Sequence, residues 1–181
     1  MRRTVELDPL NPMHHAISSE AAFRRFDYAA ALEHAKHVIG LDPEFWIGHM
    51  MAGQAYEQLH EHDRALSALA NAARFSGNNS KAISLRGYVL AQTGRVDEAR
   101  GLLQALEAAA QHHYVPPYAM ALVHAGLDDA DAAFASLDRA LTVRDVHLVF
   151  VTAEPKWDRY RTDARFKSIV ARCGFNRGAG P

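Results

Sequence analysis

The chain has 181 residues, 49% of them apolar, with 20 Lys and Arg against 21 Asp and Glu. That length can bury the core of one substantial domain, and the mixed composition is not that of a disordered chain. A net charge of -1 supplies no global attraction to nucleic acid or anionic membrane, and the single cysteine, Cys173, excludes an internal disulfide.

At the N-terminus, Arg2 and Arg3 are followed by Glu6, Asp8 and two prolines where a signal peptide would be apolar. No apolar run approaches the ~18 residues of a membrane helix. A cytoplasmic location, away from the membrane, is the expectation. TVELDPLNP (Thr4 to Pro12) and HVIGLDPEF (His37 to Phe45) share an apolar-x-Leu-Asp-Pro run thirty-four residues apart. Residues 1–11 are therefore read as the end of a preceding, truncated repeat.

From Ala16 to Leu141, alanine-rich segments with apolar residues three and four apart predict helices throughout. The same interval of thirty-four separates Ala31, Ala65, Ala99 and Ala133, and also the small residues Ser19, Gly53, Gly87 and Ala121. Ala35, Leu69, Leu103 and Leu137 form a third ladder; Val38, Ala72, Leu106 and Ala140 form a fourth. Pro9 and Pro43 share a fifth with Gly77. Thirty-four residues hold two helices of roughly 13–15 residues and two tight turns. Asn11-Pro12 and Asp42-Pro43 each place a capping side chain before a first-turn proline, and Asn79 caps a helix starting near Ser80. Mid-unit breaks fall at RRFD (Arg24 to Asp27), LHEHD (Leu59 to Asp63), TGRVD (Thr93 to Asp97) and AGLDD (Ala125 to Asp129). Small residues sit where two helices cross closely, because a large side chain would hold the axes apart.

After Leu141 the ladder fails. VHLVFV (Val146 to Val151) is read as a helix packed on the last repeat, since a lone strand would have no partner. In the following stretch, Glu154 to Phe175, Thr162 or Asp163 caps a helix with Phe166, Ile169 and Val170 on one face and Gly174 as its stop. Trp157, Tyr160 and Phe166 are expected to cover the exposed end of the last repeat.

AGQAYEQLHEHDRALSALANAA (Ala52 to Ala73) resembles the tetratricopeptide repeat family through Gly53, Tyr56, Ala65, Leu69 and Ala72. RGYVLAQTGRVDEARGLLQAL (Arg86 to Leu106) resembles it through Gly87, Gly94, Ala99 and Leu103. The likeness runs from about Pro12 to Leu141; His15, His49, Ile83 and Pro117 stand where the family commonly has a large aromatic. It implies an all-α, right-handed superhelical solenoid of about four helix-turn-helix units, 12–45, 46–79, 80–113 and 114–145. A helical cap at 146–175 and a disordered tail at 176–181 would complete it. The stretch from YVPPYAMALVHAGL (Tyr114 to Leu127) through RTDARFKSIVARCGF (Arg161 to Phe175) is also similar to the end of repeat arrays in bacterial regulators, where the array follows a winged-helix, cyclase or kinase domain.

The resemblance implies a scaffold for protein–protein interaction, binding a peptide or partner helix in a concave groove, with no catalytic role and no cofactor. Carried over residue by residue, the groove would take Met13, Ile17, Glu20 and Arg24 from the first unit and Ile47, Met50, Met51, Gln54 and Gln58 from the second. Lys81, Ser84, Tyr88 and Gln92 come from the third, and Val115, Tyr118 and Leu122 from the fourth. A clamp for a chaperone's acidic tail is not expected, because Ala16, Glu20 and Leu85 occupy its positions and only Lys81 fits. The alternative is homotypic pairing through the open N-terminal end. A further reading is a histidine-ligated metal enzyme, prompted by His34 and His37 one helical turn apart, His60-Glu61-His62, His14-His15 and His112-His113. No four-ligand spacing completes it, so scattered histidines are the expectation. Cys173 lacks a basic partner beyond Arg172, and Asp128, Asp129 and Asp131 fall short of a calcium loop. The basic C-terminal residues Lys156, Arg159, Arg161, Arg165, Lys167, Arg172 and Arg177 are read as a solvated face rather than a nucleic-acid site.

Overall fold

A computed structural model describes residues 10–174 of the chain, and the described residues are helical throughout. The readings made for Thr4 to Pro9 and for 176–181 lie outside them. The α-helices are α1 (Pro12–Arg24), α2 (Tyr28–Leu41), α3 (Trp46–Gln58), α4 (His62–Phe75), α5 (Ser80–Gln92), α6 (Val96–Ala110), α7 (Pro117–Gly126), α8 (Ala130–Thr142) and α9 (Ala164–Arg172). Two 3₁₀ segments, Val146–Phe150 and Pro155–Tyr160, lie between α8 and α9. No helix among the described residues is long and apolar enough to cross a membrane.

Local chemistry sets the ends. Asn11, Asp27, Asn79, Asp129 and Asp163 each accept a backbone N–H at the start of α1, α2, α5, α8 and α9. Asp42 behaves differently from Asn11. Its carboxylate accepts the Glu44 N–H at 3.0 Å in a local turn, and α3 begins only at Trp46, without a side-chain cap. His49 steadies that turn, its Nε2 lying 2.8 Å from the Pro43 carbonyl oxygen.

The turn inside each hairpin repeats atom for atom. Phe26, His60, Gly94 and Asp128 have φ of 62°, 61°, 80° and 62°. The next residue's N–H reaches back to close the preceding helix in each case: Asp27 to Ala22, Glu61 to Tyr56, Arg95 to Leu90 and Asp129 to His124, at 2.9–3.0 Å. Ala31, Ala65, Ala99 and Ala133 are each the fourth residue of α2, α4, α6 and α8, and each is 0% exposed. All members of the ladders beginning at Ala35 and Val38 are buried as well.

The small ladder marks the closest approach. A Cβ on Gly53 would stand 2.5 Å from Leu69 Cγ, and one on Gly87 would stand 3.0 Å from Val123 Cγ2. At the equivalent place in the first hairpin, the buried Ser19 hydroxyl donates to the Ala31 carbonyl oxygen at 2.7 Å. Each helix packs on its neighbour in the chain, and α1 also touches α3, α3 touches α5, and α5 touches α7. The first helices of successive hairpins therefore lie side by side and present one continuous face.

A candidate binding groove filled by the C-terminal segment

That face is covered by the chain itself. Asp145, buried after α8, starts the covering segment: its Oδ2 accepts the Tyr118 N–H at the head of α7, and its Oδ1 accepts the His147 N–H, both at 3.0 Å. Burial alone would raise the Asp145 carboxyl pKa, but hydrogen bonds from the His147 ring and from the two N–H groups outweigh it and hold it below the ordinary value. Beyond this anchor, residues 150–157 run across α1, α3, α5 and α7.

Four hairpins contribute to holding this stretch. Arg24 on α1 donates to the Ala153 carbonyl oxygen at 3.2 Å, stands 3.7 Å from Glu154 Oε2 and places its guanidinium 4.5 Å from the Phe150 ring centroid. Glu20 holds Arg24 in turn, at 2.7 Å. The Lys156 ammonium pairs with Glu57 on α3 at 3.2 Å and with Glu154 at 3.0 Å. It lies over the rings of Phe23 and Tyr88, 5.7 and 5.6 Å from their centroids. Burial works to lower the Lys156 pKa, but Glu154 and Glu57 more than reverse it, so the ammonium stays charged. Burial pushes the Tyr88 hydroxyl up to about 12, with Glu57 adding to the effect. Trp157, 0% exposed, donates its indole N–H to the Tyr118 hydroxyl oxygen on α7 at 2.9 Å.

Not every polar group facing the segment is met. A cavity of about 20 Å³, room for roughly one water, is bounded by Arg24, Gln54, Lys81, Ser84, Phe150 and Glu154. Gln54 is 2% exposed, and its amide nitrogen has no hydrogen-bond partner among the described residues. Glu20 Oε2 is buried and unpartnered in the same sense. The Lys81 ammonium makes no hydrogen bond or ion pair among the described residues; it faces the Phe150 ring 5.6 Å from the centroid. Burial lowers its pKa, against the pull of Glu20 and Glu154.

The residues carried over from the resemblance therefore divide. Arg24, Gln54, Lys81, Ser84, Tyr118 and Leu122 meet around the cavity, Glu20 braces Arg24, and Tyr88 lies beneath Lys156. Met50, Met51 and Val115 are buried in the core, and Ile47 packs against it. Gln58 donates to Glu57 at 2.8 Å and Gln92 to the Gly126 carbonyl oxygen at 3.0 Å. Met13 and Ile17 are exposed on α1. Glu57, Phe23, Phe150 and Glu154 were absent from the carried-over set. Their one sequence signal is the charged pair of EPKW, Glu154 to Trp157, following the apolar run VFV. From the sequence, Trp157, Tyr160 and Phe166 are expected to cover the last repeat. Tyr160 packs edge-on to Phe134 and α9 packs on α8, but the stretch before them extends as far as the first hairpin.

Other candidates resolve locally. Lys156 is buried, whereas Arg159 pairs with Asp128, Arg161 with Asp158, Arg165 with Asp131 and Asp163, and Arg172 with Asp138. Arg177 lies outside the described residues. His15 meets His37 and His34 at ring-centroid distances of 4.1 and 6.4 Å. Among the described residues, no group of three or more His, Cys, Asp or Glu side chains is arranged to hold a metal ion. Burial raises the pKa of the Cys173 thiol, with Arg172 opposing, which leaves less thiolate near neutrality. No protein-family model matches the chain, and no curated protein matches it.

Proposed function

We propose that the chain is a protein-interaction module of the tetratricopeptide-repeat kind, a right-handed superhelix that holds a peptide or partner helix on the face formed by α1, α3, α5 and α7. On this reading it is a non-catalytic part of a larger bacterial regulatory protein working in the cytoplasm. The observation that carries the reading is that one stretch of polypeptide already lies on this face. Residues from the first, second and fourth hairpins grip it: Arg24 takes a backbone carbonyl oxygen, Glu57 a lysine and Tyr118 an indole N–H. Apolar rings with a few placed polar groups are the usual anatomy of a recognition surface. The test is peptide display on the full-length chain, followed by affinity measurement for the selected peptides. Lys81→Gln is expected to weaken them about tenfold, or roughly 1.4 kcal/mol, at unchanged helical circular dichroism. Equal affinity would remove the groove assignment.

A second reading rests on a different surface. Leu10, Met13 and Ile17 are 74%, 41% and 44% exposed, an apolar stripe on and just before α1 that suits pairing with a second copy. Sedimentation should then give a dimer that Ile17→Lys converts to a monomer; a monomer at all concentrations removes this reading.

A further inference from the structure

The segment over the groove is bound the way a ligand is bound. It is anchored to the head of α7 by Asp145 and folds into short 3₁₀ turns held by local bonds, among them Val151 N–H to the Leu148 carbonyl oxygen, Ala153 N–H to the Phe150 carbonyl oxygen and Trp157 N–H to the Glu154 carbonyl oxygen. Its polar contacts with the hairpins go to Arg24 on α1, Glu57 on α3 and Tyr118 on α7. It is also an incomplete ligand. Where Phe150 and Glu154 border the cavity, the Gln54 amide is buried without an acceptor and the Lys81 ammonium has no carboxylate or carbonyl oxygen within bonding distance among the described residues. The unmet, buried Gln54 donor is a cost that another occupant could remove.

We infer that residues 146–160 form a displaceable strap, an internal occupant that keeps the groove closed until a peptide of the same chemistry replaces it. This rests on the reading of the face as a polypeptide-binding groove. The partner it points to carries a carboxylate, then a lysine, then a large aromatic, in the spacing of Glu154, Lys156 and Trp157. That order matches Arg24, Glu57 and Tyr118 along the groove. An acceptor placed toward Gln54 and Lys81 would add what the strap lacks. Because the strap is tethered, it competes at high effective concentration, so an external peptide gains access only when its contacts are better or the strap is weakened.

The experiment has two readouts on the full-length chain. Native-state hydrogen exchange on the unsubstituted protein should show the amides of Leu148, Val151, Ala153 and Trp157 exchanging roughly a hundredfold faster than those of Ala55 and Leu90. The probe for the second readout is a labelled synthetic peptide with the sequence from Leu148 to Arg161. It should bind the Glu154→Gln, Lys156→Gln double variant at least about tenfold tighter than the unsubstituted chain. Strap amides as slow as those of the helices would overturn the strap and leave the groove reading to its own peptide-display test. Fast strap amides, with no peptide binding to a variant that keeps its helical signal, would overturn both.

Discussion

Lys156 Nζ lies 3.2 Å from Glu57 Oε2, an ion pair between the C-terminal segment and the second hairpin in which the lysine side chain is 1% exposed and the glutamate 11%. With Glu154 at 3.0 Å, one ammonium neutralises two carboxylates. Taking it away leaves Glu57, among the described residues, without a cation and Glu154 with Arg24 at 3.7 Å. Lys156→Met is expected to cost about 3–5 kcal/mol, read as a lower urea midpoint at unchanged slope. Replacing Glu57 and Glu154 by Gln in the same chain should restore much of that loss. A loss under ~1 kcal/mol would mean that water screens the pair.

Gly53 and Gly101 separate packing from propensity. A methyl on Gly53 meets Leu69 Cγ at 2.5 Å, so Gly53→Ala should cost about 1–3 kcal/mol by forcing α3 and α4 apart. Gly101 is exposed on α6 and has nothing within 4 Å of a built Cβ. Gly101→Ala is expected to stabilise by about 0.5–1 kcal/mol. Thermal melts of the two variants should move in opposite directions; a shift of the same sign in both would contradict the crossing.

The four equivalent hairpin turns allow a swap experiment. Gly94 occupies the left-handed region with open space around it, so Gly94→Ala loses only conformational energy, about 1–2 kcal/mol. His60 sits in the same conformation and is exposed, so His60→Gly relieves that strain. After the larger chain entropy of glycine in the unfolded state is subtracted, the gain should be up to about 1 kcal/mol. Denaturant titration of both variants checks the pair.

Asp145 contributes to the acid side of the stability profile. Asp145 titrates below 3.8 in the folded chain, so the unfolded chain binds the proton first as pH falls. Its contribution is complete above 3.8 and is lost as pH falls through the folded value. Asp145→Asn should therefore flatten the stability curve below pH 3.8, beneath a lower plateau at neutral pH.

His34 acts at higher pH. Burial lowers its folded-state value below 6.5, helped by His15 and His37 and opposed by Asp27. The stability it supports is full above 6.5 and declines as pH falls from there toward the folded value. His34→Gln should reduce that slope; an unchanged slope would show that folding does not shift His34.

Much of the hairpin layout was legible because it depends on local chemistry repeated at a fixed interval. Ala31, Ala65, Ala99 and Ala133 were identified by spacing alone and occupy equivalent buried places. The interval also carried the left-handed residue, although Phe26, His60 and Asp128 look nothing like Gly94 in sequence. Asp42-Pro43 misled because the same Asx-Pro pair serves a cap at Asn11 and a separate turn here; which one forms depends on where the preceding helix ends.

What the sequence determined by itself is the helical class and the small, buried residues recurring along the chain, since propensity, capping and period act within some thirty-four residues. What the groove contains was decided only by the tertiary structure. Lys156 reads as one of a row of solvated basic residues, and nothing near it in the chain says otherwise. It is buried because hairpins distant in sequence bring Glu57, Phe23 and Tyr88 to one place, and the desolvation of a charge is tolerable only where such partners converge.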